Sequence, residues 1–406
     1  MQMKFTGKWI ARLAAGAAAL CIGLGGAVQH YALGLPDHFY KDADRPLSIQ
    51  TVLPVTLQSK SPTVPQMQEA ELRLFGMIPV KTVSLTTVKP ADVYVGGQPF
   101  GIRMLMAGVM VVSLTGVPGV PDEPCPAADA GIAVGDVIQA VNGKPVGGNA
   151  DLQEAVSGSE GAPVSVTVVR GDTLQTVSVE PVYSAMTKRW QTGMWVRDST
   201  AGIGTVTYYM RTQSGQIRFA GLGHAVCDPD TGEQIPLASG DVIAVSVNDI
   251  VSGSAGKPGE LHGRFETGDS IGTLLANTPC GVFGIMKKLP KRQQKLPLGF
   301  RQDITRGEAE IYTTLDGRTP QAFTVEIEEI RSGDASARDM VIHVTDPALL
   351  EQTGGIVQGM SGSPIVQHGR LVGAVTHVFV RDPTRGYGIL AEHMYAQTAA
   401  FADAAK

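Results

Sequence analysis

Apolar and polar residues alternate with a period of two along most of this chain, which is the signature of half-buried strands. GDVIQAVNGKPV (135 to 146) alternates up to Asn142-Gly143, a strong two-residue hairpin signal. VSVTVVR and TVSVEPV repeat the pattern on either side of Gly171-Asp172 and form a second hairpin. Between them, Asn149 is placed to cap a short helix through Leu152 and Val156 that ends at Gly158. From Gln191 to GYGIL the chain is again strand-rich, and only HMYAQTAAFADAAK at the end reads as helix. Residues 36 to 70, with scattered Pro, Ser and Lys as in LPVTLQSKSPTVPQM, read as a linker open to proteolytic nicking, and LFGMIPVKTVSLTTV (74 to 88) as strand material.

Composition agrees with a mainly β chain: 49 Gly and 25 Pro in 406 residues, with 6% aromatics, fit many short strands and turns. The length calls for two domains plus extensions. A net charge of −5 argues against a dedicated nucleic-acid binder. One dense basic run, Lys287 to Lys295, reads as a solvated loop, the sharper alternative being contact with anionic lipid or an acidic partner.

At the N-terminus, Lys4, Lys8 and Arg12 lead into an apolar segment from Leu13 to Val28, with no acidic residue before Asp37. This is the pattern of an export signal or transient membrane anchor, with membrane contact through residues 8 to 28 and everything downstream outside the cytoplasm. Past Cys21, three cysteines remain (Cys125, Cys227 and Cys280), too few for a disulfide scaffold. His224 and Cys227 make an H-x-x-C without a second matched pair, so no metal is expected.

The chemistry concentrates in GMSGSP, residues 359 to 364. A serine hydroxyl needs a base to take its proton and donors to stabilise the oxyanion. Glycines flanking Ser361 permit a tight turn that aims the N–H groups of Gly359 and Ser361 at one point, the G-x-S-G-x-P logic of chymotrypsin-like peptidases, with Ser363 in place of the usual Gly before Pro. For the base, His224 ends a strand among small residues in FAGLGHAVCD; His377, in VGAVTHVFV, is the rival. Asp346, Asp228, Asp241, Asp249 and Asp303 are all open as the orienting acid, with Asp228 better suited to making the turn in DPDTGE and Asp346 able to cap a helix over DPALLEQ.

PFGI, PAADAGIAVGDVIQAVNGKPV and the VVRG hairpin resemble a PDZ domain of the bacterial protease-associated type, over about residues 92 to 184. That resemblance implies a groove that takes an extended peptide as an added strand. Its floor would be the N–H groups around Phe100, Gly101 and Ile102, and its far wall Leu152 and Val156. GLGHAVCDPDTGE, the run from VTDPALLEQ through GMSGSPIVQHGRLVGAVTHVFV to GYGI, and the PDZ segment in front are together similar to the SpoIVB peptidases of endospore-forming bacteria. The family pattern, carried over position by position, gives His224, Asp346 and Ser361 as the triad. An acid only fifteen residues before the serine departs from usual chymotrypsin-like spacing.

The expected layout is therefore a signal or anchor (1 to 29), a linker or pro-region (30 to 74), a PDZ domain with a preceding strand (75 to 185) and a chymotrypsin-like β-barrel-type serine peptidase domain (186 to 406). The resemblance implies an exported, self-processing endopeptidase of the forespore intermembrane space, without cofactor. Its partners would be its own N-terminal region and the extracytoplasmic part of a membrane regulator, cut to trigger pro-sigma-K processing. An inactive exported PDZ scaffold is a competing reading, opposed by the intact base and nucleophile positions. An HtrA-like quality-control protease is another, opposed by the PDZ segment preceding the catalytic residues.

Overall fold

The computed structural model describes residues 7–33, 35, 37–42, 53–59, 67–88, 91–291, 293–331 and 337–403. The apolar N-terminal run lies in a helix, Gly7–Leu33. Among the described residues no helix is long and apolar enough to cross a membrane.

The described parts of the expected linker lie largely in strands instead. Strands His38–Asp42, Val55–Ser59, Met67–Leu74 and Ile78–Val88 form a four-stranded sheet, with the first strand parallel to the last and the others antiparallel. The alternation that builds it starts at Met67, where Ala70, Leu72, Val83 and Leu85 turn to one face and close over Phe39 and Leu35. The Pro- and Ser-containing stretches separate these strands, which is why the region reads as unstructured. Tyr40 fastens the sheet to the body of the protein: its ring stacks on Phe300 at 4.5 Å, and its backbone N–H donates to Gln302 Oε1 at 3.0 Å.

The PDZ-type unit has the expected hairpins. Asn142 (φ +51°) and Gly143 (φ +73°) make the two-residue turn, and Arg170 pairs with Thr173 across Gly171-Asp172. Its core is aliphatic, with Val109, Ile138, Val164 and Val166 fully buried beneath the helix Asn149–Ser157. Asn149 does not cap that helix with its side chain. Gly148 holds the cap position, and the Asn149 N–H is taken by Asp198 Oδ2 at 2.9 Å.

Strand pairing runs across the boundary expected near residue 185. Strand Pro99–Leu114 serves two structures. Its first half pairs with Met194–Arg211 on one side and Leu237–Val251 on the other; its second half enters the PDZ sheet through Val109 and Met110 against Ile138 and Val137. Gly108 marks the crossing, at φ +103°, where a Cβ would sit 2.4 Å from the Ile138 carbonyl oxygen. The PDZ unit is thus inserted into the first barrel rather than placed before it. That barrel closes because Met194–Arg211, after pairing through Ile217–Gly221, Gly281–Met286, Gly272–Thr278 and Leu237–Val251 in turn, returns to Pro99–Leu114. A second closed barrel follows, built from Gly307–Thr313, Gln321–Ile330, Met340–Val344, Asp382–Leu390, Arg370–Phe379 and Pro364–Gln367 around Ile311, Val325, Ile342 and Ile365.

A folded sheet and a nickable linker differ measurably. Leu72, fully buried, should cost about 2–5 kcal/mol when cut to Ala. Hydrogen exchange should then quicken in Met67–Val88 and stay unchanged in the second barrel; equally fast exchange there in wild type and variant would mean the sheet does not form.

Candidate active site

Ser361 lies in a turn that only glycine can make. Gly359 and Gly362 have φ of +96° and +95°, and a Cβ on Gly362 would stand 2.0 Å from the Thr205 carbonyl oxygen. The turn is pinned by its neighbours' side chains. Thr205 Oγ1 donates to the Gly359 carbonyl and the buried Thr207 Oγ1 to the Gly362 carbonyl, both at 2.8 Å, while the Thr205 N–H donates to the Ser361 carbonyl at 2.9 Å. The N–H groups of Met360, Gly362 and Ser363 bond within the second barrel. Among the described residues those of Gly359 and Ser361 have no acceptor, which is what stabilising an oxyanion requires.

His224 follows a strained corner. Leu222, a bulky residue, has φ +65°, and Gly223 has φ +71°. Nδ1 of His224 lies 2.7 Å from its neighbour's carbonyl, Ala225 O, and a carbonyl only accepts. The proton therefore sits on Nδ1, and Nε2 carries the free lone pair that a general base needs. Burial holds the imidazole below its usual pKa, partly offset by this hydrogen bond, so the ring is neutral at neutral pH.

Ser361 Oγ donates to the Thr376 carbonyl at 2.7 Å. The next residue, His377, stacks obliquely on His224 with ring centroids 4.7 Å apart. Its Nδ1 is buried, with no hydrogen-bond partner among the described residues. Burial first, then the proximity of His224 and Arg338, lower its pKa to about 4. The Ser361 turn packs on the corner before His224, where a Cβ on Gly362 would stand 2.4 Å from the Leu222 nitrogen, and Ser361 Oγ is bonded to the residue next to His377.

Asp346 is elsewhere occupied. Oδ1 accepts the N–H groups of Ala348 and Leu349 at the start of helix Pro347–Thr353, and Oδ2 accepts that of Thr324. No hydrogen bond joins it to either histidine among the described residues, and the Ala225 carbonyl holds the His224 tautomer instead. Of the other carboxylates, Asp241 pairs with Arg103, Asp249 faces His262, and Asp303 accepts the Phe300 N–H. Asp228 does make the turn after the histidine, accepting the N–H groups of Asp230 and Thr231. It is also bound by Arg197. Burial pushes its pKa up, but the Thr231 N–H and Arg197 outweigh this and hold it below the usual range.

Two supports escaped the sequence reading. Asn277 clamps the histidine loop, accepting the Val226 N–H and donating to the carbonyls of Val226 and Ile235. Nothing in LLANTPCG announces that. Thr205 and Thr207, two apart in GIGTVTYY and both buried, were a visible signal of inward hydroxyls.

The proposed groove floor is wrong. Gly204, Ile203 and Gly202 pair with one edge of Phe100, Gly101 and Ile102, and Ala244, Ile243 and Val242 with the other, so no peptide can add there. Phe100 is barrel core. Leu152 and Val156 do line a cavity of about 730 Å³, which Gly193 to Val196 also line. Met194 and Trp195 pair with Leu114 and Ser113 on one edge; among the described residues no strand pairs with the other.

Cys125, Cys227 and Cys280 are free thiols, and no cluster among the described residues is arranged to hold a metal.

A family model, SpoIVB peptidase S55, matches residues 188–395, just over half of the chain. The chain belongs to this family. It is a serine peptidase, and a PDZ domain model matches residues 83–180. No curated protein matches. Among solved structures, the PDZ domain of the SdrC-like protein from Listeria monocytogenes is similar at 19% identity, over 22% of this chain and 87% of its own, with a TM-score of 0.19.

With His224 as the candidate base, the acid limb of kcat/KM should fall below pH 6.5, the usual value for a histidine. Stability should follow the same sign. An unfolded chain takes up protons on His224 and His377 that the folded one refuses, so stability is full above about pH 6.5 and declines as pH falls toward the lower folded values. A pH–rate profile and denaturation midpoints from pH 4 to 8 check both; an acid limb above 6.5 would exclude a buried neutral base.

Proposed function

We propose that this S55-family peptidase is a self-processing regulatory endopeptidase in which Ser361 is the nucleophile and His224 the base. The observation that supports the chemistry is the packing of the Ser361 turn on the Leu222-Gly223 corner before His224, whose proton is held on Nδ1. Ser361 Oγ attacks the scissile carbonyl carbon as His224 Nε2 takes its proton. The N–H groups of Gly359 and Ser361 bind the oxyanion. His224 then protonates the departing amine, and the sequence repeats with water to release the acyl group from the serine. The Ala225 carbonyl does the orienting work in the resting state, and Asp346 acts there by capping its helix.

The finer role is that implied by the resemblance: export to the space between the forespore membranes, self-cleavage, and cutting of the extracytoplasmic part of a membrane regulator ahead of pro-sigma-K processing. The basic-then-apolar N-terminus supports export. The chain's own sites would fall between the strands of the N-terminal sheet, because a paired strand cannot enter an active site. The groove between Leu152, Val156 and the Met194–Val196 edge supports capture of an extended peptide.

Wild-type chain should yield discrete new N-termini within residues 30 to 75 by mass spectrometry, and Ser361→Ala and His224→Ala none. Identical fragments in all three would reject self-processing.

The groove is probed at its rim, since Leu152 is only 5% exposed and a carboxylate there would unfold the PDZ core. Trp195 is 63% exposed beside the cavity. Trp195→Ala should lower kcat/KM on protein substrates while a small fluorophosphonate still labels Ser361 at the wild-type rate. A parallel loss of both would point to a general structural defect.

A further inference from the structure

The first strand of the N-terminal sheet is held by contacts that do not depend on its covalent link to the second. Strand His38–Asp42 lies at the sheet's edge, parallel to Ile78–Val88 in a register that runs from His38–Ser84 to Asp42–Val88. One face of it enters the sheet's own core, where Phe39 is fully buried with Ala70, Leu72, Val83 and Leu85. The other face meets the body of the protein, where Tyr40 stacks on Phe300 with ring centroids 4.5 Å apart.

The outer edge is closed as well. In a parallel pair, alternate residues turn their backbone groups away from the neighbouring strand. At Tyr40 those groups meet a side-chain amide. Gln302, itself buried, accepts the Tyr40 N–H at Oε1 at 3.0 Å and donates from Nε2 to the Tyr40 carbonyl, so one glutamine stands in for a missing strand. Its helical turn, Arg301–Asp303, is fixed in place by the Arg301 N–H, which donates to Glu392 Oε2 of the C-terminal helix at 2.7 Å. Just before the strand, Lys81 Nζ reaches the Leu35 carbonyl at 2.8 Å and Asp37 Oδ1 at 2.7 Å, and the Ser84 N–H donates to the Asp37 carbonyl at 2.9 Å.

All of these partners lie at or beyond Ala70 in the chain, and Leu35–Asp42 is joined to them covalently only through the residues between. A cut between the strands, where self-processing is expected, breaks that path and none of these contacts. What it removes is the high effective concentration of a short tether, on the order of millimolar. Apolar burial on two faces and paired backbone on two edges remain.

We propose that when the chain is cut between Asp42 and Met67 the N-terminal piece stays bound through strand His38–Asp42. The processed peptidase is then a two-chain assembly, and a second event is needed to part it from the apolar helix Gly7–Leu33. The inference rests on the self-processing reading for the cut itself and adds what the cut does to the assembly.

The test makes the cut without the protein's own chemistry. A recognition sequence for a site-specific protease is inserted between Asp42 and Val55 of the full-length Ser361→Ala chain in mild detergent, and complete digestion is verified on a denaturing gel. On gel filtration at micromolar concentration the N-terminal piece should co-elute with the remainder. Phe39→Ala, which empties the sheet-side pocket, should release it about tenfold faster or more. Gln302→Ala leaves the sheet core intact and should also speed release, by less. Immediate separation of the two pieces without either substitution overturns the proposal. So does retention that neither substitution weakens, because the hold would then lie in helix Gly7–Leu33. If wild type yields no new N-termini of its own, the self-processing reading falls while the engineered cut still decides the docking; new N-termini with immediate separation remove this proposal alone.

Discussion

The strand Met194–Arg211 is the constraint on which the rest depends. Its first residues wall the PDZ cavity, its middle closes the first barrel against Pro99–Leu114, and its end holds the nucleophile turn of the second barrel. Between wall and barrel, Arg197 grips Asp228 and Asp230 in the loop that follows His224. The hydrogen bond from Thr207 to Gly362 is buried, so breaking it leaves an unpaired carbonyl and costs about 1–3 kcal/mol. His224 and Ser361 come from different barrels, and this one strand pairs with the strand that leads to His224 and bonds the Ser361 turn. Its register shifts, between Trp195 and Val196 and between Arg197 and Ser199, fall where it passes from one task to the next.

The site's electrostatics follow from where those barrels meet. Two imidazoles in van der Waals range inside a largely dry interface cannot both be charged, and burial already favours the neutral form of each. A neutral His224 with its proton fixed on Nδ1 is ready to accept from serine without an adjacent carboxylate. The backbone carbonyl of Ala225 supplies orientation but no negative charge, so it fixes the tautomer and stabilises the imidazolium less than an acid would. In the proposed mechanism that leaves more of the transition-state stabilisation to the N–H groups of Gly359 and Ser361.

What could be read from the sequence divides along the same physical lines. Hairpins at Asn142-Gly143 and Gly171-Asp172 were legible because turn chemistry is local. Ser361 stood out because the glycines beside it have no other structural use. His224 was separable from the other histidines by its small neighbours. Asp346 was harder. DPALLEQ carries a helix-cap signal and the family pattern an acid, and the structure commits that carboxylate to Ala348, Leu349 and Thr324. Phe100 to Ile102 misled for a different reason. A strand paired on both edges and a strand bordering a groove alternate identically; only pairing over more than a hundred residues, with Val242 to Ala244, separates them. The N-terminal sheet escaped because its first pairing is parallel and long-range, from His38 to Ser84.

The insertion of the PDZ unit changes what its groove can do mechanically. A domain appended after a barrel connects through one chain and is free to swing. Here the chain enters along Pro99–Leu114 and leaves along Met194–Arg211, and these two strands are paired with each other from Leu114–Met194 down to Pro99–Thr205. The PDZ unit therefore stands on a two-stranded stem that is itself part of the first barrel. Displacing it must bend both strands at once, and the soft places are Gly108 and the two register shifts. A peptide added at the free edge of Met194–Val196 would lengthen the sheet beside that stem, one residue before Arg197 and its grip on the His224 loop. Any geometric demand the peptide makes is then felt first by the base and, at Thr205 and Thr207, by the nucleophile turn. Continuity of the strand thus makes the groove and the catalytic centre parts of one mechanical element.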